Sequence, residues 1–318
     1  MTQLDLSQPL TFEPLYMERV WGGRRLESMF GKQLPRHGRI GESWEVVDRP
    51  EAQSVVQSGP LRGKTLHELW TQHRAEVFGE ASAAPRFPLL VKLLDAQEKL
   101  SLQVHPPAEV AKKLGGEPKT EFWYVAHADA EAELFVGLRT ATSMEKFEEA
   151  LNSGTVAEQV HSIRVQAGDA MFLPAGRFHA VGAGNLLVEI QQNSDTTYRV
   201  FDWNRTDDHG KPRPLHVAEA LQSIDFNDAR PELVRAQGEL LVRHELFEVQ
   251  KWLLSEPRKI TPVGQFAIVF CLAGALRCAG VALGPGEFFL VPAQLAQRTI
   301  EPTKEGTALL RVTIPPQA

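Results

Sequence analysis

The chain has 318 residues, with 34 basic and 40 acidic side chains and a formal net charge of −6. This balance, with no basic block, argues against nucleic acid or an anionic membrane surface as a partner. No apolar run approaches the about 18 residues of a membrane span, and the N-terminal segment lacks the features of a signal peptide. We therefore expect a cytoplasmic protein, long enough for one large domain or two modest ones.

Short strands outnumber helices along the chain. Apolar spacing and cap residues predict four helices, at residues 64–78, 107–114, 142–151 and 216–224, the third opened by a capping box at Thr142–Glu145. β-branched and aromatic runs predict strands at residues 86–94, 119–125, 134–137, 163–165, 186–190, 247–252, 266–272 and 287–291. Many short strands between glycine and proline turns predict a mainly β fold, a sandwich or jelly roll with a few helical insertions.

A weak internal repeat indicates two similar barrels. Gly168–Pro174 and Gly286–Pro292 each combine a glycine–acid turn with an apolar strand and a proline. Five residues beyond the proline stands His179 in the first copy and Gln297 in the second. We therefore expect a catalytic, metal-binding domain at residues 1–235 and a second, metal-free domain at residues 236–318, joined near residues 227–232.

The chain has two cysteines, Cys271 and Cys278, and both lie in an apolar, strand-like stretch. Such positions favour buried thiols over a disulfide, which fits a reducing compartment.

Four residues in three strand-like segments form a candidate metal site. Gln103 and His105 are two apart, so their side chains leave the same face of an extended strand. Glu121 stands beside Phe122 and Trp123, where a carboxylate is costly to bury unless it is paired or coordinated. His179 ends a third segment. A lone histidine in an apolar strand usually packs in the core, so only the combination predicts a divalent metal with positions left for substrate.

Ordered motifs identify the chain as similar to the type I phosphomannose isomerases of the short bacterial kind. They cover most of the first 225 residues and include Ile40–Glu45, Leu100–Pro106, Lys119–Glu121, Asn193–Trp203 and Gly210–His216. The resemblance implies a zinc-dependent enzyme of the cupin (jelly-roll) superfamily, so we expect the two barrels indicated by the repeat to be cupin-like jelly-roll barrels. It also implies interconversion of mannose 6-phosphate and fructose 6-phosphate, so the expected partner is a small sugar phosphate.

The resemblance assigns roles residue by residue. Its metal ligands correspond to Gln103, His105, Glu121 and His179, the four residues already selected by spacing, with one zinc per chain and manganese or cobalt as alternatives. Its conserved lysine, essential arginine and acidic residue correspond to Lys119, Arg199 and Glu189, the predicted catalytic residues.

Substrate contacts are predicted for four residues, Ser101, Lys119, Arg199 and Arg205. Ser101 shares the face of Gln103 and offers a hydroxyl to phosphate, while arginine suits a phosphate or an enediolate because its charge is permanent. The isomerisation moves a proton between C2 and C1 through a cis-enediol, which requires a positioned base. Glu189 and a group held by Lys119 or by the metal are alternatives for that base.

Two other functions use the same fold. A cupin oxygenase with iron or manganese is one, although such sites usually have a His-x-His pair where this chain has Gln103 and His105. A non-catalytic sugar-phosphate sensor is the other, although it would not need Lys119, Glu189 and Arg199 together. The oligomeric state stays open.

Overall fold

A computed structural model describes residues 4–80, 82–206 and 210–315. In the first part of the chain, up to residue 206, the described residues form eleven strands: β1 (Leu15–Gly23), β2 (Ile40–Val46), β3 (Leu89–Ala96), β4 (Leu102–Val104), β5 (Glu121–Ala128), β6 (Glu133–Leu138), β7 (Val160–Arg164), β8 (Ala170–Leu173), β9 (His179–Val181), β10 (Asn185–Gln192) and β11 (Tyr198–Phe201). In the last part, the described residues from 240 to 315 form nine strands: β12 (Leu240–Arg243), β13 (Glu248–Leu254), β14 (Arg258–Lys259), β15 (Ala267–Ala273), β16 (Leu276–Cys278), β17 (Val281–Leu283), β18 (Phe288–Val291), β19 (Thr299–Pro302) and β20 (Thr307–Thr313).

The described helices are short and lie before residue 224. They are α1 (Arg25–Phe30), α2 (Leu66–Gln72), α3 (Arg74–Val77), α4 (Ala108–Leu114), α5 (Met144–Asn152) and α6 (Val217–Ser223), with a 3₁₀ turn at Val156–Glu158. None of these helices is long and apolar enough to cross a membrane. The prediction of a mainly β fold with a few helical insertions is therefore confirmed.

Two antiparallel sheets from the first part form a barrel. The six-stranded sheet has the order β1-β2-β3-β10-β5-β8, and the five-stranded sheet has the order β11-β4-β9-β6-β7. Apolar side chains from both sheets, among them Leu94, Trp123, Val136 and Leu187, meet in one buried cluster between them. This face-to-face packing of antiparallel sheets is the jelly-roll architecture.

The last part repeats this arrangement on a smaller scale. Its sheets have the orders β12-β13-β20-β15-β18 and β14-β19-β16-β17. The runs β13-β20-β15-β18 and β14-β19-β16-β17 match β3-β10-β5-β8 and β4-β9-β6-β7 strand for strand. The interior of the second barrel holds Trp252, Val269, Phe289 and Leu309. Each barrel is thus built from strands on its own side of residues 202–239.

The outer faces of the two larger sheets share one core. Val188 and Ile190 of β10 lie in the same buried cluster as Phe266, Phe270 and Leu310 of the last part. The opposite face of β10 carries Leu187 and Glu189 into the first barrel, because successive side chains on a strand alternate. Both faces of β10 are therefore buried, which explains the apolar run Leu186–Ile190 that only Glu189 interrupts.

Local details correct four sequence predictions. Helix α5 begins after Ser143, not Thr142, and the Ser143 hydroxyl accepts a hydrogen bond from the Lys146 N–H (3.4 Å). The predicted helix at residues 64–78 is broken at His73 into α2 and α3. Residues 227–232 are no free linker, since Asp228 forms an ion pair with Arg177 (2.7 Å).

The fourth correction concerns the repeat. His179 is opposite Val136 in the β6–β9 pairing, and Ile300 is opposite Cys278 in the matching β16–β19 pairing. The counterpart of His179 is therefore Ile300 and not Gln297.

The prediction of buried thiols is confirmed, because Cys271 and Cys278 are both free and buried.

Candidate active site and metal centre

Four predicted metal ligands converge at one end of the first barrel. Gln103 lies in β4 with His105 immediately after it, while Glu121 and His179 are the first residues of β5 and β9. The β4–β9 pairing places Gln103 directly opposite His179. His105, Glu121 and His179 are at most 2% exposed, and their candidate ligand atoms all lie within 4.8 Å of one another.

The two imidazoles turn the same nitrogen toward the carboxylate. Nδ1 of His105 is 2.9 Å from the Thr196 carbonyl oxygen, and Nδ1 of His179 is 2.9 Å from the Arg177 carbonyl oxygen. A carbonyl accepts only, so each Nδ1 carries the proton and each Nε2 keeps its lone pair. These Nε2 atoms lie 3.2 Å and 3.9 Å from the Glu121 carboxylate oxygens.

Electrostatics keep this donor set in its metal-binding form. Burial and the nearby Lys119 ammonium lower the pKa of His105, and burial and His105 lower the pKa of His179 to about 3. Burial opposes ionisation of Glu121, but Lys119 and His105 outweigh it and hold its pKa well below the usual range. Neutral imidazoles and an ionised carboxylate are the forms that bind a divalent metal.

The site contains buried ligand atoms that have no hydrogen-bond partner and that a bound metal would coordinate. His105 Nε2 and Glu121 Oε2 are buried and have no hydrogen-bond partner. The Gln103 amide nitrogen, Nε2, lies 3.4 Å from His179 Nε2, and its oxygen, Oε1, accepts a hydrogen bond from the Ser101 hydroxyl at 3.2 Å. Exchange of the amide oxygen and nitrogen, which occupy similar positions, would turn Oε1 toward the same point. The residues therefore fit a divalent ion held by two imidazoles, a carboxylate and an amide oxygen.

A polar cavity of about 440 Å³ opens beside these ligands. Its charged lining is balanced between five acidic and five basic residues: Glu18, Glu42, Glu121, Glu189 and Asp195, and Arg19, Lys92, Lys119, Arg199 and Arg213. Gln103, Ser101, Trp21 and Trp123 also line it. The volume and the many hydrogen-bonding groups suit a small, polar, charged ligand.

Glu189 lies between two buried lysines in this cavity. Its Oε1 is 3.8 Å from Nζ of Lys119 and 3.8 Å from Nζ of Lys92, and it has no hydrogen-bond partner. Burial and the Glu121 carboxylate raise the pKa of Glu189 to about 8. Lys119 donates to Glu121 at 2.6 Å; burial alone would lower its pKa, but Glu121 and Glu189 outweigh burial and raise it. Lys119 is therefore a fixed cation.

Arg199 lies on the far side of Gln103 from His179, because β11 pairs with β4 and places it opposite Gln103. Arg213 also reaches the cavity, held by the Asp202 carboxylate at 2.7 and 2.6 Å. Arg205 binds the same carboxylate at 2.6 Å but lines a neighbouring cavity of about 570 Å³. Of the predicted site residues, eight thus surround the metal centre and the cavity, and Arg205 lies beside them.

Sequence reasoning missed six charged lining residues: Glu18, Arg19, Glu42, Lys92, Asp195 and Arg213. Lys92 had a visible signal, since a lysine in the middle of the apolar strand Leu89–Ala96 needs a buried partner. Glu42 gave a similar signal, since it is a carboxylate in the strand Ile40–Val46 and stands two residues before Trp44. Arg213 lies within the Gly210–His216 motif, but that segment is irregular and only the fold brings it back to β11.

Comparison with known proteins agrees with this arrangement. A family model described as the catalytic domain of type I phosphomannose isomerase matches residues 10–147. The chain is 36% identical over 313 residues to the probable mannose-6-phosphate isomerase GmuF of Bacillus subtilis, covering 94% of this chain and 98% of the relative. It is 37% identical over 298 residues to the mannose-6-phosphate isomerase of Streptococcus mutans, covering 90% and 93% of the two chains.

Solved structures show the same fold. The mannose 6-phosphate isomerase of Bacillus subtilis superposes with a TM-score of 0.85 at 35% identity, covering 96% of this chain and 99% of the other. A mannosephosphate isomerase described as putative, from Archaeoglobus fulgidus, superposes with a TM-score of 0.79 at 23% identity, covering 96% and 97%. The second likeness supports the fold alone.

Proposed function

Because the chain belongs to the type I phosphomannose isomerases, we propose that it interconverts mannose 6-phosphate and fructose 6-phosphate through a cis-enediol. The observation that carries this proposal is the placement of Glu189, a buried carboxylate with an unpartnered oxygen, in the same cavity as the candidate metal ligands Gln103 and Glu121. Aldose–ketose isomerisation needs those two elements together, an electrophile for the sugar oxygens and a proton carrier beside the carbon atoms.

The metal is held by Gln103, His105, Glu121 and His179, and zinc is our proposal for its identity. Two imidazoles, a carboxylate and an amide oxygen suit zinc, and manganese or cobalt would accept the same ligands. When bound, the ion supplies Lewis-acid polarisation of the sugar carbonyl and stabilises negative charge on its oxygen. The two backbone carbonyls behind the histidines fix the imidazole tautomers that this requires.

Glu189 is the proposed proton carrier between C2 and C1. Its Oε1 accepts no hydrogen bond among the described residues, so a lone pair is available to a carbon-bound proton. Lys92 and Lys119, each 3.8 Å away, favour the ionised carboxylate that a base must be, but burial and the Glu121 charge outweigh them and raise the pKa of Glu189 to about 8. The basic form of Glu189 therefore gains as the pH rises through about 8. Lys119 also binds Glu121, so it sets the distance between the proton carrier and the metal ligands.

Ser101 and Arg199 complete the proposed substrate contacts. Ser101 is 3% exposed and lines the cavity next to Gln103, where its hydroxyl can reach a sugar or phosphate oxygen. Arg199 has a buried Nε with no hydrogen-bond partner, so its guanidinium retains a donor for an anion. A guanidinium matches two phosphate oxygens at once.

The free, buried thiols fit a reducing compartment, and we propose the cytoplasm.

A coupled isomerase assay on metal-loaded protein tests the function. We expect conversion of mannose 6-phosphate to fructose 6-phosphate, loss of activity on prolonged chelation, and recovery on addition of zinc. Incorporation of solvent deuterium at C1 or C2 would report the proton transfer directly. Substrate binding without turnover would identify a sugar-phosphate sensor, and oxygen consumption would identify an oxygenase; either result contradicts the proposal.

A further inference from the structure

Arg213 belongs to a cluster of arginines at the cavity wall that holds more positive than negative charge. The charged groups that act on Arg199 are Arg213, Asp202 and Arg205. Three guanidinium groups thus lie around one carboxylate, and of these only Arg205 and Arg213 form hydrogen bonds with it, which leaves an excess of positive charge. Glu98 offsets part of this excess, but its carboxylate is half exposed and 3.8 Å from Arg205. An unbalanced group of buried or half-buried cations favours an anionic ligand.

The Asp202 carboxylate fixes the direction of the Arg213 guanidinium. Nε and Nη2 of Arg213 donate to Oδ2 and Oδ1 at 2.7 and 2.6 Å, and the Asp202 side chain is only 7% exposed. The third nitrogen, Nη1, makes no hydrogen bond to residues within 4–80, 82–206 or 210–315. A two-bond pairing of this kind holds the planar group rigidly and leaves its free edge for another partner.

Arg199 stands beside Arg213 and is also incompletely paired. Its Nη1 donates to the carbonyl oxygen of Pro214 at 2.8 Å, one residue after Arg213, while its Nε is buried without a partner. Burial and the positive charge of Arg213 lower the pKa of Arg199. Both side chains line the same cavity as the candidate metal ligands Gln103 and Glu121. Two like charges are therefore held side by side in that cavity, each with an unused donor.

We infer that Arg213 and Arg199 together bind the phosphate dianion of the substrate, with Arg213 as a binding residue that selects phosphorylated over free sugars. This inference rests on the proposed function for the identity of the sugar. A phosphate dianion would neutralise the excess charge and accept from the unused donors of both guanidiniums. Because the phosphate is remote from C1 and C2, the contact stabilises bound substrate and transition state equally.

The test uses the metal-loaded enzyme and the variants Arg213→Met and Arg213→Lys. Arg258→Met is the matched control, since Arg258 also makes two hydrogen bonds to one carboxylate (2.6 and 3.0 Å to Glu239) but lies in the second barrel. Two quantities are measured: the KM and kcat for mannose 6-phosphate, and the Kd of inorganic phosphate by calorimetry. We expect Arg213→Met to raise KM and Kd at least about tenfold with kcat within about threefold, as loss of a charged hydrogen-bonding partner predicts.

The lysine variant separates charge from geometry. It keeps the charge but not the paired N–H groups, so we expect a rise in KM and Kd of at least about threefold, while Arg258→Met stays at the wild-type values. A wild-type Kd for phosphate in the folded Met variant, or in the Lys variant if the Met variant does not fold, would overturn the inference. If the wild type binds phosphate through Arg213 but does not isomerise mannose 6-phosphate, the proposed function fails and the anion site stands.

Discussion

Lys92 and Glu189 are direct partners across the neighbouring strands β3 and β10, with Nζ and Oε1 3.8 Å apart. Both side chains are at most 4% exposed, and both point into the cavity beside the metal ligands. The same lysine is 4.0 Å from Glu42 and lies 5.1 Å over the Trp44 ring. Glu189, the proposed proton carrier, is therefore buried beside Lys92, and Lys92 is itself held in place by two carboxylates and the ring of Trp44.

This relationship gives the first prediction. Glu189→Gln keeps the size of the side chain but removes the carboxylate, so we expect kcat to fall at least about 100-fold, the usual contribution of a general base. Metal content should stay at the wild-type value, because Glu189 is no ligand. Glu301→Gln, which alters a carboxylate paired with Arg277 in the second barrel, is the control. A kcat within tenfold of wild type would assign proton transfer to another group.

The second prediction concerns the metal ligands. His105→Ala and His179→Ala each delete an Nε2 donor, and we expect metal affinity to fall by more than the about 10–100-fold seen when an outer partner is lost. Activity should fall in parallel while the far-ultraviolet circular dichroism is unchanged. His127→Ala is the matched control, because His127 lies on β5 with Glu121 but pairs with Asp129 at the surface. Full metal stoichiometry in either ligand variant would reject the assignment.

The sequence identified the residues of the candidate metal centre more completely than the residues that line the cavity beside it. Gln103 and His105 lie in one short motif whose spacing brings both side chains to one face, while Glu121 stood out as a carboxylate beside Phe122 and Trp123. Lys92 acquires its meaning only when β3 pairs with β10, two strands separated by 88 residues of intervening chain. Arg213 depends on a turn at Trp203 and Asn204, which both have positive φ values of 55° and 56°. Such backbone for non-glycine residues cannot be read from composition.

The repeat shows a similar limit. The pattern of glycine, strand and proline correctly paired β8 with β18, whose positions in the two larger sheets correspond. Counting five residues onward from the second proline then predicted Gln297 as the counterpart of His179, although the register of the β16–β19 pairing gives Ile300. The error arises because the connection after the second proline is three residues longer than the connection after the first. Loop length is weakly constrained energetically, so a repeat preserves strands better than spacing.

A third prediction concerns an ion pair beneath the first barrel. Lys32 Nζ lies 2.7 Å from Glu45 Oε1, with side-chain exposures of 9% and 5%, and the Ser43 hydroxyl donates to the same oxygen. Lys32→Met would leave the carboxylate buried without its cation. We expect it to lower the free energy of unfolding by about 3–5 kcal/mol, as for other broken buried pairs.

A double variant isolates the cost of the unpaired charge. Lys32→Met with Glu45→Gln removes both charges, so it should recover part of the loss in urea-induced unfolding. Arg164→Met, which breaks an exposed pair with Glu131, should change the free energy of unfolding by less than about 1 kcal/mol. A loss of that small size in the Lys32→Met variant would show that the pair contributes little.

The last prediction is that residues from about 236 onward form a metal-free barrel that supports the first. The positions corresponding to His179 and Glu121 hold Ile300 and Ala267, as the pairings with Cys278 and Val291 place them. Both are fully buried and apolar, and neither can ligate a metal. Metal analysis of the purified chain should therefore give one tightly bound ion, and two would contradict this division of labour.

The supporting role follows from the shared core. Phe266 and Phe270 pack in the same buried cluster as Val188 and Ile190 on the outer face of the catalytic barrel. Removing residues 236–318 would expose that face as a large apolar patch, so we expect the remaining fragment to aggregate. The measurements are light scattering and isomerase activity of the fragment beside the full chain. A monomeric and fully active fragment would contradict the supporting role, because the outer face of the first barrel would then be stable in contact with water.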